Sequence, residues 1–300
     1  MAWTGIVVIE IRALTKSYGS VDVVKDLCFT APAGAVTGFL GPNGAGKTTT
    51  LRCLLGLASP SGGSALIGGR SYQDLESPRR VVGAMLESTG FHPARTGRNH
   101  LRVVARAARL DASRIDLMLD VAGLTGAVDR PVGRYSLGMR QRLGLATALL
   151  GDPAVVVLDE PANGLDPAGV TWVRRLLRVC ADEGRTVLVS SHVLAEVAQV
   201  VDRVVIIRDG ALVTETNVGD LSAARVMVRV DRLAVFVEAL RARCVEFELL
   251  DGDVISVSIA DPAEVGRLAA EAGVVVIELG RRNAGASLEA MFLAATGGAR

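Results

Sequence analysis

The chain has 300 residues, and its 33 basic and 32 acidic side chains leave a net charge of +1. That length predicts about two domains, and a composition of 50% hydrophobic and 22% charged residues excludes a disordered chain. The balanced charge argues against a dedicated nucleic-acid binder, which would carry a basic excess. The mean hydropathy is +0.37, but the apolar runs are far shorter than the roughly 20 residues of a membrane-spanning helix. We therefore predict buried strands of a parallel sheet and no span.

The spacing of the cysteines indicates whether they form disulfides, bind zinc or stay reduced. Cys28, Cys53, Cys180 and Cys244 show neither a disulfide framework nor the paired spacing of a zinc site. We expect reduced thiols in the core of a cytosolic protein. The N-terminal residues also lack the charged-then-apolar pattern of a signal peptide.

In chain order, strand-like and helix-like segments alternate over the first two thirds of the sequence. Strands are predicted over 6–14, 23–30, 35–40, 81–86, 154–158, 186–190 and 203–208. A helix is predicted from 47 to about 57, and helical character dominates 93–150. Strands separated by helices indicate a parallel α/β sheet.

After about residue 220 the pattern changes. Strands are predicted over 225–231, 244–250, 253–259 and 273–279, helices over 232–242 and 262–271, and a last helix over 288–295. Asp251-Gly252 lies between two strand-like runs, which is a strong hairpin signal. The order βαββαβ is that of a small ferredoxin-like α+β unit. We place the boundary between residues 1–218 and 219–300.

A glycine-rich turn follows the strand at 35–40. The run Gly41, Pro42, Asn43, Gly44, Ala45, Gly46, Lys47, Thr48, Thr49 fits the P-loop pattern and opens a helix. Backbone N–H groups of such a turn, with the positive end of the helix, hold phosphates. Lys47, one of only three lysines, can then reach the β- and γ-phosphates, and the Thr48 hydroxyl can bind Mg²⁺.

Two acidic residues end the apolar strand at 154–158. In an ATP site, a carboxylate at such a strand end holds the magnesium, which suits Asp159. Glu160 would lie near the γ-phosphate and accept a proton from the attacking water. The alternative is that these acids only cap the following helix.

Several further motifs occur in an order that resembles the ATP-binding domain of ABC transporters. Residues 135–142 (Tyr-Ser-Leu-Gly-Met-Arg-Gln-Arg) resemble the ABC signature, and 163–167 (Asn-Gly-Leu-Asp-Pro) resemble the D-loop. Residues 190–192 (Ser-Ser-His) resemble the strand end that carries the switch histidine. Tyr18 resembles the aromatic residue that stacks on adenine. Together these motifs cover residues 6 to about 215.

The resemblance implies a fold and an assembly. The fold would be an α/β P-loop NTPase domain with an antiparallel β edge and a helical insert at about 88–150. Ser136 and Gly138, with Leu137 between them, would face the γ-phosphate bound by a second copy of the domain, so that ATP is sandwiched between two subunits. Asp166 would lie at the dimer seam, and His192 would contact the γ-phosphate and orient the water. An ordinary serine-capped helix is the alternative at Ser136.

Two motifs depart from the family pattern, the signature at two positions and the lid at one. The signature usually has Gly where Leu137 stands and Gln where Met139 stands. The lid residue, usually Gln, is Glu87, whose carboxylate can ligate Mg²⁺ but cannot donate a hydrogen bond when ionised. These departures predict slower or more partner-dependent hydrolysis. They resemble the antibiotic-export branch, of the bacitracin- and daunorubicin-resistance kind.

The function implied by the resemblance is ATP hydrolysis, with ATP and Mg²⁺, that powers export of a drug, antibiotic or lipid-like compound. The expected partners are a separate transmembrane permease and a second ATPase subunit, identical or not, without nucleic acid. The chain would then lie peripherally at the cytoplasmic face of the plasma membrane. A soluble ABC-type ATPase acting on ribosomes or DNA, and a nucleotide sensor without turnover, are the alternatives.

Weaker signals concern charge and histidines. Arg98, Arg102, Arg106 and Arg109 are spaced to share one helix face. A solvated face is the simplest interpretation, and contact with lipid headgroups or a transporter's cytoplasmic helix is the sharper one. His92 and His100 are expected at the surface.

Overall fold

The structure, a computed structural model, describes residues 7–86, 90–221, 226–250, 253–259, 261–281, 288 and 292. The chain forms two compact units. The first ends at Thr216 and takes in Phe292, and the second begins at Asn217.

Strands and helices alternate along the first unit. Its strands are β1 (Ile9–Tyr18), β2 (Val21–Ala31), β3 (Val36–Leu40), β4 (Gly62–Ile67), β5 (Val82–Met85), β6 (Val155–Asp159), β7 (Thr186–Ser191), β8 (Arg203–Arg208) and β9 (Ala211–Asn217), which ends at the unit boundary. Its helices are α1 (Lys47–Leu54), α2 (Pro78–Val81), α3 (Gly97–Ala108), α4 (Arg114–Val121), α5 (Leu137–Leu149), α6 (Pro167–Asp182) and α7 (Leu194–Val197).

The first unit is built on two sheets. The central sheet has the order β5-β6-β7-β3-β8-β9, and its pairs from β5 to β8 are parallel. Strands β3, β6 and β7 are buried at every position, which explains their continuous apolar runs. The other sheet, β2-β1-β4, is antiparallel. The predicted α/β architecture is thus confirmed.

The second unit is an antiparallel sheet with two longer helices. It contains α8 (Val218–Leu221), β10 (Val226–Val230), α9 (Leu233–Ala242), β11 (Phe247–Leu250), β12 (Val254–Val257), α10 (Pro262–Glu271) and β13 (Val276–Arg281). The strand order is β11-β12-β10-β13. It has a core of its own, in which Phe236 and Leu240 are fully buried. The predicted turn at 251–252 lies outside the described residues, as does the predicted helix at 288–295 apart from 288 and 292.

Some predicted boundaries differ from those observed. The first strand was predicted to end at 14 but continues to Tyr18. Register shifts interrupt its pairing with β2 between Ile11 and Ser17, and Ala13 has a φ of 47°. Such bulges break the alternation of apolar residues that marks a strand. Strands β4 and β9 were not predicted. The helical stretch over 93–150 resolves into three α-helices and two short 3-10 helices, Thr125–Ala127 and Val132–Arg134.

The predictions for four residues, including two cysteines expected in the core, were wrong. Helix α3 ends at Ala108, and Arg109 is its left-handed cap with a φ of 53°, so Arg109 does not extend the arginine face. His100 is buried rather than at the surface. Of the cysteines, all free, Cys28 and Cys244 are exposed.

Among the described residues, none of the helices has the length and apolar character that crossing a membrane requires.

Candidate functional site

The candidate site lies where three neighbouring parallel strands end. Strand β7 is hydrogen-bonded to β3 on one side and to β6 on the other. The glycine-rich loop follows β3, Asp159 ends β6, and His192 follows β7. Because parallel strands present their carboxyl ends at one edge of a sheet, motifs 150 residues apart in sequence meet there.

The glycine-rich loop turns directly into α1. Gly46 caps this helix with a φ of 101°, and a Cβ atom on it would lie 2.7 Å from the Val23 carbonyl oxygen. Only glycine fits this left-handed position without strain. Lys47 is buried, and its Nζ donates to the carbonyl oxygens of Gly41 at 2.7 Å and Pro42 at 3.2 Å. The lysine ammonium is thus hydrogen-bonded to the backbone of its own loop.

Asp159 is the buried acid of the site. Thr48 Oγ1 donates to Asp159 Oδ2 at 2.7 Å, and the Ser190 hydroxyl donates to Asp159 Oδ1. Hydroxyl and carboxylate oxygens are ligands that Mg²⁺ prefers, with phosphate oxygens and water completing the shell. The described residues contain no group of three or more His, Cys, Asp or Glu that could hold a metal alone. The Thr48 hydroxyl and the Asp159 carboxylate fit a Mg²⁺ ion that a bound nucleotide helps to hold.

Glu160 stands between a lysine and a histidine. One carboxylate oxygen lies 3.6 Å from Lys47 Nζ, and the other lies 2.8 Å from His192 Nδ1. Its backbone N–H donates to Ser190 Oγ at 3.0 Å. The geometry leaves the carboxylate partly exposed toward the glycine-rich loop, where a proton acceptor can reach a water beside a phosphate.

Burial and charge act in opposite directions on Lys47. Removal from water lowers the pKa of Lys47 below its usual value, whereas Glu160 and Asp159 oppose that change. An anionic phosphate arriving at Nζ would favour the charged lysine in the same way.

Lys47, Thr48, Asp159 and Glu160 border one cavity of about 560 Å³. Its lining is Val23, Asn43, Gly44, Ala45, Gly46, Lys47, Thr48, Thr49, Leu137, Gln141, Asp159, Glu160 and Asn163. The structure thus brings together seven consecutive residues of the predicted run, from Asn43 to Thr49, with both acids and Leu137. Val23, Gln141 and Asn163 were not predicted as site residues, nor was Ser190, although the last three lie inside recognised motifs.

Other predicted residues lie elsewhere. Among the residues that the structure describes, the cavity lining does not include Tyr18, which is half exposed at the end of β1 with Lys16 Nζ 4.6 Å from its ring centre. Ser136 caps α5 by accepting from the Met139 N–H at 3.2 Å. Asp166 caps α6 in the same way, accepting from the Gly169 N–H at 2.8 Å.

Gly138 and Glu87 were also predicted as site residues. Gly138 is in the first turn of α5, outside the lining. Glu87 lies outside the described residues.

Two family models match the sequence. The model described as "ABC transporter" matches residues 24–163. A model described as "Domain of unknown function (DUF8746)" matches residues 224–289.

Curated relatives and solved structures match about 70% of the chain. The chain is 42% identical over 216 residues to the uncharacterized ABC transporter ATP-binding protein YhcH of Bacillus subtilis (strain 168), covering 71% of each chain. It is 43% identical over 211 residues to the bacitracin transport ATP-binding protein BcrA of Bacillus licheniformis, covering 69% of each. A solved ATP-binding subunit of an ABC transporter matches with a TM-score of 0.66 at 28% identity, over 71% of this chain and 91% of that one.

Proposed function

This chain belongs to the ATP-binding subunits of ABC transporters, which are ATPases, and from that premise we propose that it powers export through a separate membrane-spanning partner. The cargo class that we propose is an antibiotic or similar compound, because relatives at 38–43% identity are bacitracin transport ATP-binding proteins. The chain would act at the cytoplasmic face of the membrane, held there by the partner.

One observation carries the hydrolytic part of this proposal. Lys47, Thr48, Asp159 and Glu160 line a single cavity, and His192 contacts Glu160. A phosphate-binding loop, a magnesium-binding oxygen pair and a general base are the parts that phosphoryl transfer to water requires.

Each part has a proposed role. Residues 41–49 and the N-terminus of α1 bind the phosphates, and Lys47 exchanges its contacts with loop carbonyls for phosphate oxygens. Thr48 and Asp159 would hold Mg²⁺, which neutralises charge on the phosphates when bound. Glu160 accepts the proton of the attacking water, and His192 orients that carboxylate and the water. Tyr18 would stack on adenine, and Glu87 would complete the site as a lid residue.

The assembly that we propose is a dimer of ATPase subunits. Ser136 and Gly138 would offer the N-terminus of α5 to the γ-phosphate held by the other subunit, and Asp166 would lie at the seam. ATP would close the dimer and hydrolysis would reopen it. Residues 1–218 would form the ATP-binding domain and 219–300 a ferredoxin-like accessory domain.

Two substitutions test the hydrolytic site. We expect Lys47→Ala to abolish ATP binding in a fluorescent-nucleotide titration, because it removes the buried phosphate ligand.

We expect Glu160→Gln to bind ATP with unchanged affinity but to lower the hydrolysis rate at least about a hundredfold, because the amide cannot accept the proton. Hydrolysis at the normal rate by Glu160→Gln would show that the base is another group.

A pull-down from native membranes tests the transport part. Tagged chain solubilised in detergent should recover a membrane-spanning polypeptide that raises its ATPase activity, with Lys47→Ala as the inactive control. Recovery with ribosomes or DNA instead would contradict the transport proposal and leave the ATPase assignment standing.

A further inference from the structure

Helix α5 reaches the site through one buried amide. Gln141 is 3% exposed, and its Nε2 donates to the carbonyl oxygens of Glu160 at 3.1 Å and Pro161 at 3.0 Å. The amide nitrogen has two hydrogens, so both donors are used. The buried amide of Gln141 therefore bonds to the backbone of the segment that begins at Glu160.

That segment needs external support. Glu160 has a φ of 49°, a left-handed conformation that non-glycine residues rarely adopt and that costs free energy. The chain then turns through residues 161–166 without strand or helix. Such a conformation persists when the surroundings hold it, and the two hydrogen bonds from Gln141 hold both carbonyls at its start.

A second contact comes from the same face of α5. Leu137 stands one helical turn before Gln141, and positions i and i+4 share a face. Its side chain packs against Gly164, with Cδ2 2.2 Å from the place of a Cβ on that glycine. The first turns of α5 therefore contact the segment after Glu160 at its beginning and near its end.

We propose that Gln141 is a positioning residue for hydrolysis, which fixes the Glu160 backbone so that its carboxylate stays between Lys47 and His192. This inference rests on the proposed role of Glu160 as the base. Gln141 also links Glu160 to α5, the helix that Ser136 caps. A displacement of the start of α5 would therefore move the Glu160 carboxylate of the same subunit through the Gln141 side chain.

The expected signature is a loss of turnover without a loss of binding. Gln141 bonds to the loop after β6 and not to the phosphate-binding loop. In the full-length chain, we expect Gln141→Leu to lower kcat for ATP hydrolysis ten- to a hundredfold, since small misplacements of a reacting group have effects of that size. The Kd for ATP should stay within about twofold of the wild-type value.

A matched control lies further along the same helix. Thr147→Val removes a side-chain hydrogen bond of 2.7 Å to the Leu143 carbonyl oxygen, which lies within the same helix, and Thr147 is not among the residues that line the candidate cavity. It should leave kcat within about twofold. An equal loss in both variants, or a wild-type rate in Gln141→Leu, would overturn the inference.

The variant Gln141→Glu keeps the side-chain shape and adds a pH readout. An ionised carboxylate cannot donate, whereas the protonated acid can donate once. The ratio of its kcat to the wild-type kcat should therefore rise as the pH falls. A ratio independent of pH would count against positioning by donation.

Two measurements separate this inference from the role of Glu160. In a Glu160→Gln background, adding Gln141→Leu should lower hydrolysis no further, and an additive loss would show that Gln141 does not act through Glu160. Hydrogen exchange over residues 160–165 should be faster in Gln141→Leu than in Thr147→Val, and equal rates would overturn the inference. If Glu160→Gln hydrolyses ATP normally, the proposed base fails, while the exchange result still decides whether Gln141 holds the segment.

Discussion

Ser190 supports both acids through one hydroxyl group. It is fully buried, donates to Asp159 and accepts from the backbone N–H of Glu160. The residue lies 30 positions or more from both partners in sequence. One small side chain thus sets the spacing between the magnesium-binding acid and the base that we propose.

We expect Ser190→Ala to lower the free energy of unfolding by about 1–3 kcal/mol, because it leaves buried polar groups without partners. Urea denaturation measures this. Ser17→Ala removes an exposed hydroxyl that bonds to Asp22 at 2.6 Å, and this control should change stability by less than about 0.5 kcal/mol. Equal effects in both variants would contradict the role given to Ser190.

His100 makes stability depend on pH. It is 8% exposed and packs against the edge of Phe91, and neither ring nitrogen has a hydrogen-bond partner within the described part of the chain. Burial, with the nearby charge of Arg95, lowers the pKa of His100 below its usual value of 6.5. Between pH 6.5 and the lower pKa of the native chain, the unfolded chain binds a proton that the native chain does not. The free energy of unfolding therefore falls as the pH falls through this range.

The expected result of His100→Leu is a flatter dependence of the urea midpoint on pH below 6.5 than in the wild-type chain. His92→Leu, which changes a histidine outside the core, serves as the control. A steep dependence retained in His100→Leu would show that other groups cause it.

The contact between β5 and α5 depends on the absence of a side chain. A Cβ atom on Gly83 would lie 2.1 Å from the Ala148 carbonyl oxygen and 2.7 Å from Pro153 Cγ. The strand and the helix therefore approach at backbone distance. This approach places α5, and with it Gln141, beside the central sheet.

Gly83→Ala should force these two elements apart and lower the free energy of unfolding by about 1–3 kcal/mol. Ala84 is exposed on the same strand, and Ala84→Ser should change stability by less than about 0.5 kcal/mol. Denaturation of both variants is the measurement. A neutral Gly83→Ala would mean that the elements separate without cost.

At the scale of the whole molecule, each unit has its own core. All residues that line the candidate cavity precede residue 164 and belong to the first unit. Phe236 is fully buried in the core of the second unit. We therefore expect Phe236 to affect the stability of the second unit and not nucleotide binding by the first.

Calorimetry of the full chain tests this separation. Phe236→Ala should destabilise the second unit by about 3–5 kcal/mol and leave the Kd for ATP unchanged. Added ATP should raise only the unfolding transition of the first unit. Val235→Ala, at a site 40% exposed, is the matched control. Loss of ATP binding in Phe236→Ala would show that the units depend on each other.

Local sequence was enough to predict the glycine-rich loop, the acids after β6 and the histidine after β7. Each motif is contiguous, and each lies at the end of a short apolar run that reads as a buried strand. Their meeting follows from one rule, that parallel strands end at the same edge. The α/β class was predictable because strand-like and helix-like segments alternate along the chain. Family membership was predictable because the motifs occur in the order of that family.

Only the tertiary structure decided which side chains support the two acids and where the regular residue patterns are interrupted. Ser190 and Gln141 reach the acids from 31 and 19 positions away, and the burial of His100 depends on contacts with other segments. The bulges in β1 and the left-handed Arg109 interrupt patterns that looked regular. Residue patterns report local periodicity, whereas these features depend on which backbone groups another segment covers or bonds.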